Sequence, residues 1–123
     1  MAKHNDIGAW GEQLARNYLR ANGYTVMEKN LHIQHKEIDI IATKDDRIIF
    51  VEVKTRTTDF MDPLEAVDAR KIRFICRAAD QFMRAHDTPH EPQFDIIVIV
   101  GTPTTTHTLT HYEDAFLPPL QGR

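Results

Sequence analysis

Apolar residues recur every three or four positions in two stretches of the chain, the period of an amphipathic helix. The first stretch covers residues 7–19, follows two residues that can cap a helix, and precedes Gly23, which can end one. The second begins near Pro63, an imino acid favoured at the first helical position, and runs to about His86. The pattern predicts two helices, each with one apolar face.

β-branched and aromatic residues dominate the segments between and after these helices. Residues 37–42 and 48–54 are two such runs, separated by polar residues at 43–47, so we expect them to pair as an antiparallel hairpin across a turn. A buried strand is predicted over residues 94–100, which contain almost no polar interruption. The remaining predicted strands are residues 24–27 and a weaker, threonine-rich segment at 104–112.

The order α-β-β-β-α-β, with an additional C-terminal strand, predicts an α/β fold. Three antiparallel strands followed by a helical crossover to a strand parallel to the third give a mixed β-sheet flanked by helices. A chain of 123 residues suffices for one hydrophobic core and is short for two. We therefore interpret residues 1–117 as a single domain and residues 118–123 as a flexible tail.

Composition narrows the class of protein. No apolar run approaches the roughly 20 residues of a membrane span, and Cys76 is the only cysteine, so the sequence predicts a soluble, cytoplasmic protein without a disulfide framework. The net charge of −3 argues against a generally basic coat for nucleic acid. The charge is unevenly distributed, however: the segment from Arg70 to Arg84 contains five basic residues and one acidic residue.

Four charged residues of the predicted hairpin can converge on one patch. Side chains alternate across a strand, so Glu37 and Asp39 share one face, as do Glu52 and Lys54. If Asp39 pairs with Glu52, the same register sets Glu37 against Lys54, whereas a one-residue slip disperses all four. The hypothesis of a site therefore predicts this register.

Such a patch has the chemistry of a divalent cation site. Mg²⁺ prefers carboxylate and water oxygens, so Asp39 and Glu52 are suitable ligands, and the backbone carbonyl of Val53 can add a third. Lys54 can stabilise negative charge that develops on a phosphate, and hydrolysis of a phosphodiester is the natural reaction. Glu12, on the flank of the first helix, is a fourth candidate. The alternative is a solvated strand face paired with lysines, with Glu12 an ordinary surface glutamate.

An ordered set of motifs over residues 8–100 resembles the YraN-like family of small bacterial proteins, which is similar in fold to the PD-(D/E)XK nucleases. The resemblance implies a restriction endonuclease-like, three-layer fold, a catalytic set of Glu12, Asp39, Glu52 and Lys54, and dependence on Mg²⁺ or Mn²⁺. The chain departs from the family pattern at Lys36, Met61 and Gln93, none of which is a proposed ligand. The motifs are Gly8-Ala-Trp-Gly11-Glu12-Gln-Leu-Ala15, Tyr18-Leu19, Gly23-Tyr24, Glu37-Ile-Asp39-Ile-Ile-Ala42, Phe50-Val-Glu52-Val-Lys54-Thr-Arg56, Pro63-Leu-Glu65-Ala-Val67, Lys71 and Phe94-Asp95.

The implied substrate is DNA, with branched DNA, the substrate of the related Holliday-junction resolvases, among the expected forms. Basic residues would contact its phosphates, although arginines along a helix are also typical of a solvated face. Two alternatives remain: a non-catalytic nucleic-acid-binding module that retains the nuclease fold, and a protein-interaction component in which Phe74 marks a homodimer contact. The candidate nucleic-acid-binding residues are Lys36, Arg56, Arg70, Arg73 and Arg77.

Overall fold

Two helices and five strands make up the part of the chain that a computed structural model describes, namely residues 3–27, 38–57, 69–86 and 89–116. Their order along the chain is the predicted one, and the weak C-terminal strand is present. The elements are α1 (Lys3–Ala21), β1 (Thr25–Val26), β2 (Ile40–Lys44), β3 (Arg47–Arg56), α2 (Ala69–His86), β4 (Glu91–Gly101) and β5 (His107–Tyr112).

The strands form one mixed sheet in the order β1-β2-β3-β4-β5. The pairings of β1 with β2, β2 with β3 and β4 with β5 are antiparallel, while β3 and β4 run parallel. The parallel pair extends from Arg47 opposite Glu91 to Arg56 opposite Val100, which makes β3 and β4 the centre of the sheet. The predicted α/β fold with a mixed sheet is confirmed.

The helices cover opposite faces of this sheet because the central strands are apolar on both sides. Ala15 and Leu19 of α1 pack with Ile49, Val51, Ile97 and Ile99. The intervening strand residues Ile48, Phe50 and Phe94 pack instead with Ile75 and Phe82 of α2. Each buried side chain of this size contributes about 1.5–3 kcal/mol. The result is a three-layer arrangement whose two cores are separated by the sheet.

The hairpin turn is shorter than the sequence predicted. Strand β2 extends to Lys44, which pairs with Arg47, so only Asp45 and Asp46 form the loop, and the expected turn over residues 43–47 is wrong. Asp45 adopts a left-handed conformation with φ of 56°, which aspartate tolerates in tight hairpin loops. The side chain of Lys44 is accommodated in the strand by a cation–π contact, since its ammonium lies 4.7 Å from the ring centroid of Tyr24.

Helix α2 is described from Ala69, so its predicted start at Pro63 lies outside the described residues, as do residues 28–37 and the predicted tail at 118–123. The predicted apolar face is confirmed at Ile75 and Ala79, to which the structure adds Ala78 and Phe82. Within the described residues, no helix has both the length and the apolar character needed to cross a membrane.

Helix α1 approaches β3 closely at Gly11. A Cβ atom at this position would overlap the side chain of Thr55, whereas a Cβ atom at Gly8, in the preceding turn, would have no atom within 4 Å. Both glycines lie inside the helix, so glycine is required at position 11 by packing and not by backbone conformation.

We expect Gly11→Ala to destabilise the protein by about 1–3 kcal/mol, since the added methyl group forces α1 away from β3. Gly8→Ala is the matched control, and alanine should stabilise the helix there by up to about 1 kcal/mol. Urea unfolding measures both. Stabilisation by both substitutions would contradict the close packing of α1 on β3.

Candidate metal centre

The hairpin register brings the two central acids together. Ile40 pairs with Val51, and the same register continued by one residue sets Asp39 opposite Glu52, as the sequence predicted. Alternation along β3 places Glu52 on the same face as Phe50, the face covered by α2. The acids therefore lie where β2 begins, at the border of the α2 core.

The carboxylate of Asp39 accepts a hydrogen bond from β3, as a backbone carbonyl would if β2 were longer. Its Oδ2 accepts a hydrogen bond of 2.8 Å from the Val53 amide, which points towards the end of β2. In a strand the amide and carbonyl of one residue point to the same neighbour, so the Val53 carbonyl also faces this end. The carboxyl group of Asp39 is thus held against β3, with the candidate carbonyl ligand close by.

Glu52 is 6% exposed, and its two oxygens are in different environments. Oε2 forms an ion pair of 3.2 Å with Nζ of Lys71, a residue of α2. Oε1 is buried and has no hydrogen-bond partner among the described residues. An unsatisfied buried oxygen costs about 1–3 kcal/mol, so a proton shared with Asp39 or a bound cation would relieve a real penalty.

Burial raises the pKa of Glu52 to about 7, and the negative charge of Asp39 acts in the same direction. The pKa of Asp39 is also raised by burial, against the opposing effects of the Val53 amide and of Lys71. Two adjacent carboxylates that both resist ionisation share a proton readily. Burial therefore favours a protonated pair, even with Lys71 present.

Lys54 and Arg56 continue the same face of β3. The positive charge of Lys54 lowers the pKa of Asp39, so this lysine acts electrostatically on that acid. Arg56 is half-buried, and its Nε has no hydrogen-bond partner among the described residues. Both side chains thus lie along the strand that carries Glu52.

Glu12 is a residue of the other helix. It lies on α1, on the opposite side of the sheet, and forms an ion pair of 3.5 Å with Arg16. No group of three acidic, histidine or cysteine side chains in the described parts of the chain is placed to hold a metal ion. Lys36 and Glu37 lie outside the described residues, so their proposed roles stay predictions, as does that of Glu12.

The donor set nevertheless fits a hard divalent cation. Two carboxylates, one with an unpartnered oxygen, and a nearby backbone carbonyl are the oxygen ligands that Mg²⁺ and Mn²⁺ accept. Mg²⁺ commonly takes only one or two protein carboxylates and completes its shell with water and phosphate. Asp39, Glu52 and the Val53 carbonyl would therefore hold such an ion.

The arginines of α2 lie on the exposed side of that helix. Arg70 and Arg77 place their guanidinium groups 5.7 and 5.3 Å from the ring centroid of Phe74, and Arg73 is exposed between them. These cation–π contacts cover the ring that the sequence suggested as a dimer contact. Lys71, in the first described turn of α2, contacts Glu52, whereas these arginines are exposed on the side of the helix away from the sheet.

Sequence reasoning missed two groups of residues. Lys71 belongs to the family pattern, but nothing in its local sequence indicates contact with Glu52. Asp95 belongs to the predicted buried strand and to the family pattern, but the sequence assigned it no role. It is fully buried and accepts hydrogen bonds from Gln93 at 2.9 Å, from His111 Nε2 at 2.7 Å and from the Asp114 amide at 2.9 Å. A carboxylate inside an apolar run was the available signal.

The Asp95 network is best interpreted as structural. Nδ1 of His111 accepts a hydrogen bond of 3.0 Å from the Tyr18 hydroxyl, which ties α1 to β4 and β5. Burial raises the pKa of Tyr18 above its usual value, so its phenol stays protonated and is a poor nucleophile. The network lies on the α1 face of the sheet, away from Glu52.

The chain is similar along most of its length to a family of bacterial proteins. The pattern of the uncharacterised protein family UPF0102 matches residues 11–99. The chain is 46% identical over 120 residues to a UPF0102 protein of Parabacteroides distasonis, covering 97% of this chain and 98% of the relative. A UPF0102 protein of Bacteroides thetaiotaomicron is 41% identical over 121 residues, covering 98% and 99%. Neither relative is named for an activity.

The raised pKa of Glu52 predicts a pH-dependent stability. The Glu52 carboxyl group binds its proton more tightly in the folded protein than in the unfolded chain. The free energy of unfolding therefore falls as pH rises from about 4.5 through about 7. Glu52→Gln keeps the site neutral and should increase the free energy of unfolding by about 1–3 kcal/mol at pH 8. The gain should shrink towards pH 5. Urea unfolding with a chelator measures it.

The control is Glu91→Gln, which replaces an exposed glutamate at the start of β4. It should leave stability unchanged at both pH values. An equal effect of Glu52→Gln at pH 5 and pH 8 would contradict the assignment of a buried, proton-binding Glu52.

Proposed function

This chain belongs to the uncharacterised protein family UPF0102, and from that premise we propose that it is a metal-dependent nuclease acting on DNA. Branched or otherwise structured DNA is the form of substrate that we favour. The observation that carries the proposal is the buried pair of Asp39 and Glu52, in which Oε1 of Glu52 has no hydrogen-bond partner among the described residues and Oε2 contacts Lys71. The mixed sheet with helices on both faces is compatible with the PD-(D/E)XK nuclease fold that the sequence resembles.

Each residue of the site would have a distinct role. Asp39, Glu52 and the Val53 carbonyl would hold Mg²⁺ or Mn²⁺, which when bound supplies Lewis acidity towards the scissile phosphate and its attacking water. Lys54 would donate hydrogen bonds to a phosphate oxygen and stabilise the negative charge that develops there. The Val53 amide keeps Asp39 oriented while this happens.

Basic residues around the site would hold the DNA backbone. Arg70, Arg73 and Arg77 are exposed on α2, the helix whose Lys71 contacts Glu52. Phosphates bound at the Lys71 end of this helix would lie nearest to the acid pair. Arg56 lies two residues beyond Lys54 on β3 and would contribute at the same face, and Lys36 remains a candidate from the sequence alone.

The catalytic proposal predicts that Asp39→Asn and Lys54→Ala each lower DNA cleavage at least about 100-fold in Mg²⁺ or Mn²⁺. Linear, nicked and junction DNA would be compared, with product measured on denaturing gels. Lys44→Ala, at the other end of the hairpin, is the matched control and should cleave like the wild type. Equal residual cleavage by the wild type and the Asp39 and Lys54 variants would refute the proposal.

A non-catalytic nucleic-acid-binding module is the second candidate. It is favoured by one observation: the exposed arginines of α2 offer a surface for phosphates whether or not a metal ion binds at Asp39 and Glu52. Such a module would use the basic surface of α2 without hydrolysing the bound DNA. Binding without cleavage would support it over the nuclease.

Both candidates predict that arginines of α2 contact phosphates. Replacing Arg70, Arg73 or Arg77 by glutamine should weaken DNA binding and reduce the slope of log affinity against log salt by about 1 for each phosphate that the variant no longer neutralises. Arg84→Gln is the control, since Arg84 lies on the same helix but pairs with Asp80 at 2.9 Å. Fluorescence anisotropy at several salt concentrations measures the slope. Unchanged slopes in all four variants would exclude this surface.

A further inference from the structure

Lys71 already neutralises the carboxylate that a metal ion would use. Its Nζ lies 3.2 Å from Oε2 of Glu52, and its positive charge lowers the pKa of both Glu52 and Asp39. We propose that Lys71 is an exchangeable internal counter-ion, which pairs with Glu52 when no divalent cation is bound and leaves it when one binds. This inference rests on the proposed metal site.

Electrostatic repulsion is the reason for exchange. A Mg²⁺ ion bound to Glu52 at about 2.0–2.1 Å would lie roughly 5 Å from an ammonium group that contacts the same carboxylate. Like charges at that distance repel strongly where the surroundings are partly desolvated, as they are here. Lys54 also directs positive charge at Asp39, so two lysines and a divalent ion would exceed the charge of two carboxylates.

The exposure of the two side chains decides which partner leaves. The Glu52 side chain is 7% exposed and fixed in the sheet, whereas that of Lys71 is 43% exposed. Lysine carries its ammonium on a flexible four-carbon stem, so it can turn away without moving the helix. The remainder of α2 stays anchored by Ile75, Ala79 and Phe82.

Exchange would couple the metal site to the DNA surface. Lys71 follows Arg70 in α2 and is itself partly exposed, so an ammonium released from Glu52 would turn towards solvent near that exposed arginine. Cation binding would thereby add a positive charge to the surface that we propose for phosphates. By thermodynamic linkage, phosphate bound to Lys71 would strengthen cation binding in return.

The test is the affinity for Mn²⁺ alone, measured by isothermal titration calorimetry on the full chain without DNA. Lys71→Met removes the competing charge and should lower the Kd for Mn²⁺ at least about tenfold. Lys71→Arg keeps the charge and should bind Mn²⁺ like the wild type. Lys44→Met, which removes a lysine from the opposite end of the hairpin, should leave the Kd unchanged.

The direction in which Lys71→Met changes the Kd for Mn²⁺ distinguishes exchange from a role of Lys71 in positioning Glu52. If Lys71 merely positioned Glu52 for the metal, Lys71→Met would weaken Mn²⁺ binding. Thermal unfolding gives a second readout: Mn²⁺ should raise the Tm of Lys71→Met more than that of the wild type, because the metal-free variant lacks its counter-ion.

Each outcome bears on a different claim. If the wild type binds Mn²⁺ and Lys71→Met binds it equally or less tightly, the exchange is wrong while the metal site stands. Equal tightening by Lys44→Met would show a general charge effect and would also overturn the exchange. If neither the wild type nor Lys71→Met binds Mn²⁺, the metal site and the exchange are both wrong.

Discussion

The register of the β2–β3 hairpin is the constraint on which the candidate site depends. The two-residue loop at Asp45 and Asp46 closes with Lys44 opposite Arg47, and counting outwards along the ladder from that pair leads to Ile40 opposite Val51. The next position sets Asp39 beside Glu52. A slip of one residue would turn Ile41 and Ile40 to the wrong cores and would separate the acids, so both hydrophobic layers hold the site in register.

Two buried acids of this protein, Asp95 and Glu52, differ in how their oxygens are satisfied. Asp95 is completely buried, yet its oxygens accept three hydrogen bonds, which is how folded proteins normally accommodate a carboxylate. Glu52 is almost as deeply buried and leaves Oε1 without a partner among the described residues. The first arrangement stabilises the junction of α1, β4 and β5. The second retains a buried oxygen without a hydrogen-bond partner next to another acid, and the proposed metal site rests on this arrangement.

Several features followed from local sequence. The periodicity of residues 7–19 corresponds to α1, and the β-branched runs correspond to the central strands, since each pattern reflects neighbouring residues that share one element. The acid pair was predictable because β-strand alternation and a short hairpin leave few registers. The length of the turn was not, because Lys44 and Arg47 are polar residues that belong to the strands and point to solvent. In the sequence, polar strand residues of this kind cannot be distinguished from the polar residues of a loop.

The sequence by itself therefore determined the order of elements, the α/β class and the proximity of Asp39 to Glu52, all of which depend on residues close together in the chain. Only the tertiary structure decided what surrounds that pair. The contact of Lys71 with Glu52 requires α2 to dock on the sheet, and the Tyr18–His111–Asp95 network joins residues from opposite ends of the chain. Such contacts depend on how helices pack against strands, and no local period of the sequence encodes that packing.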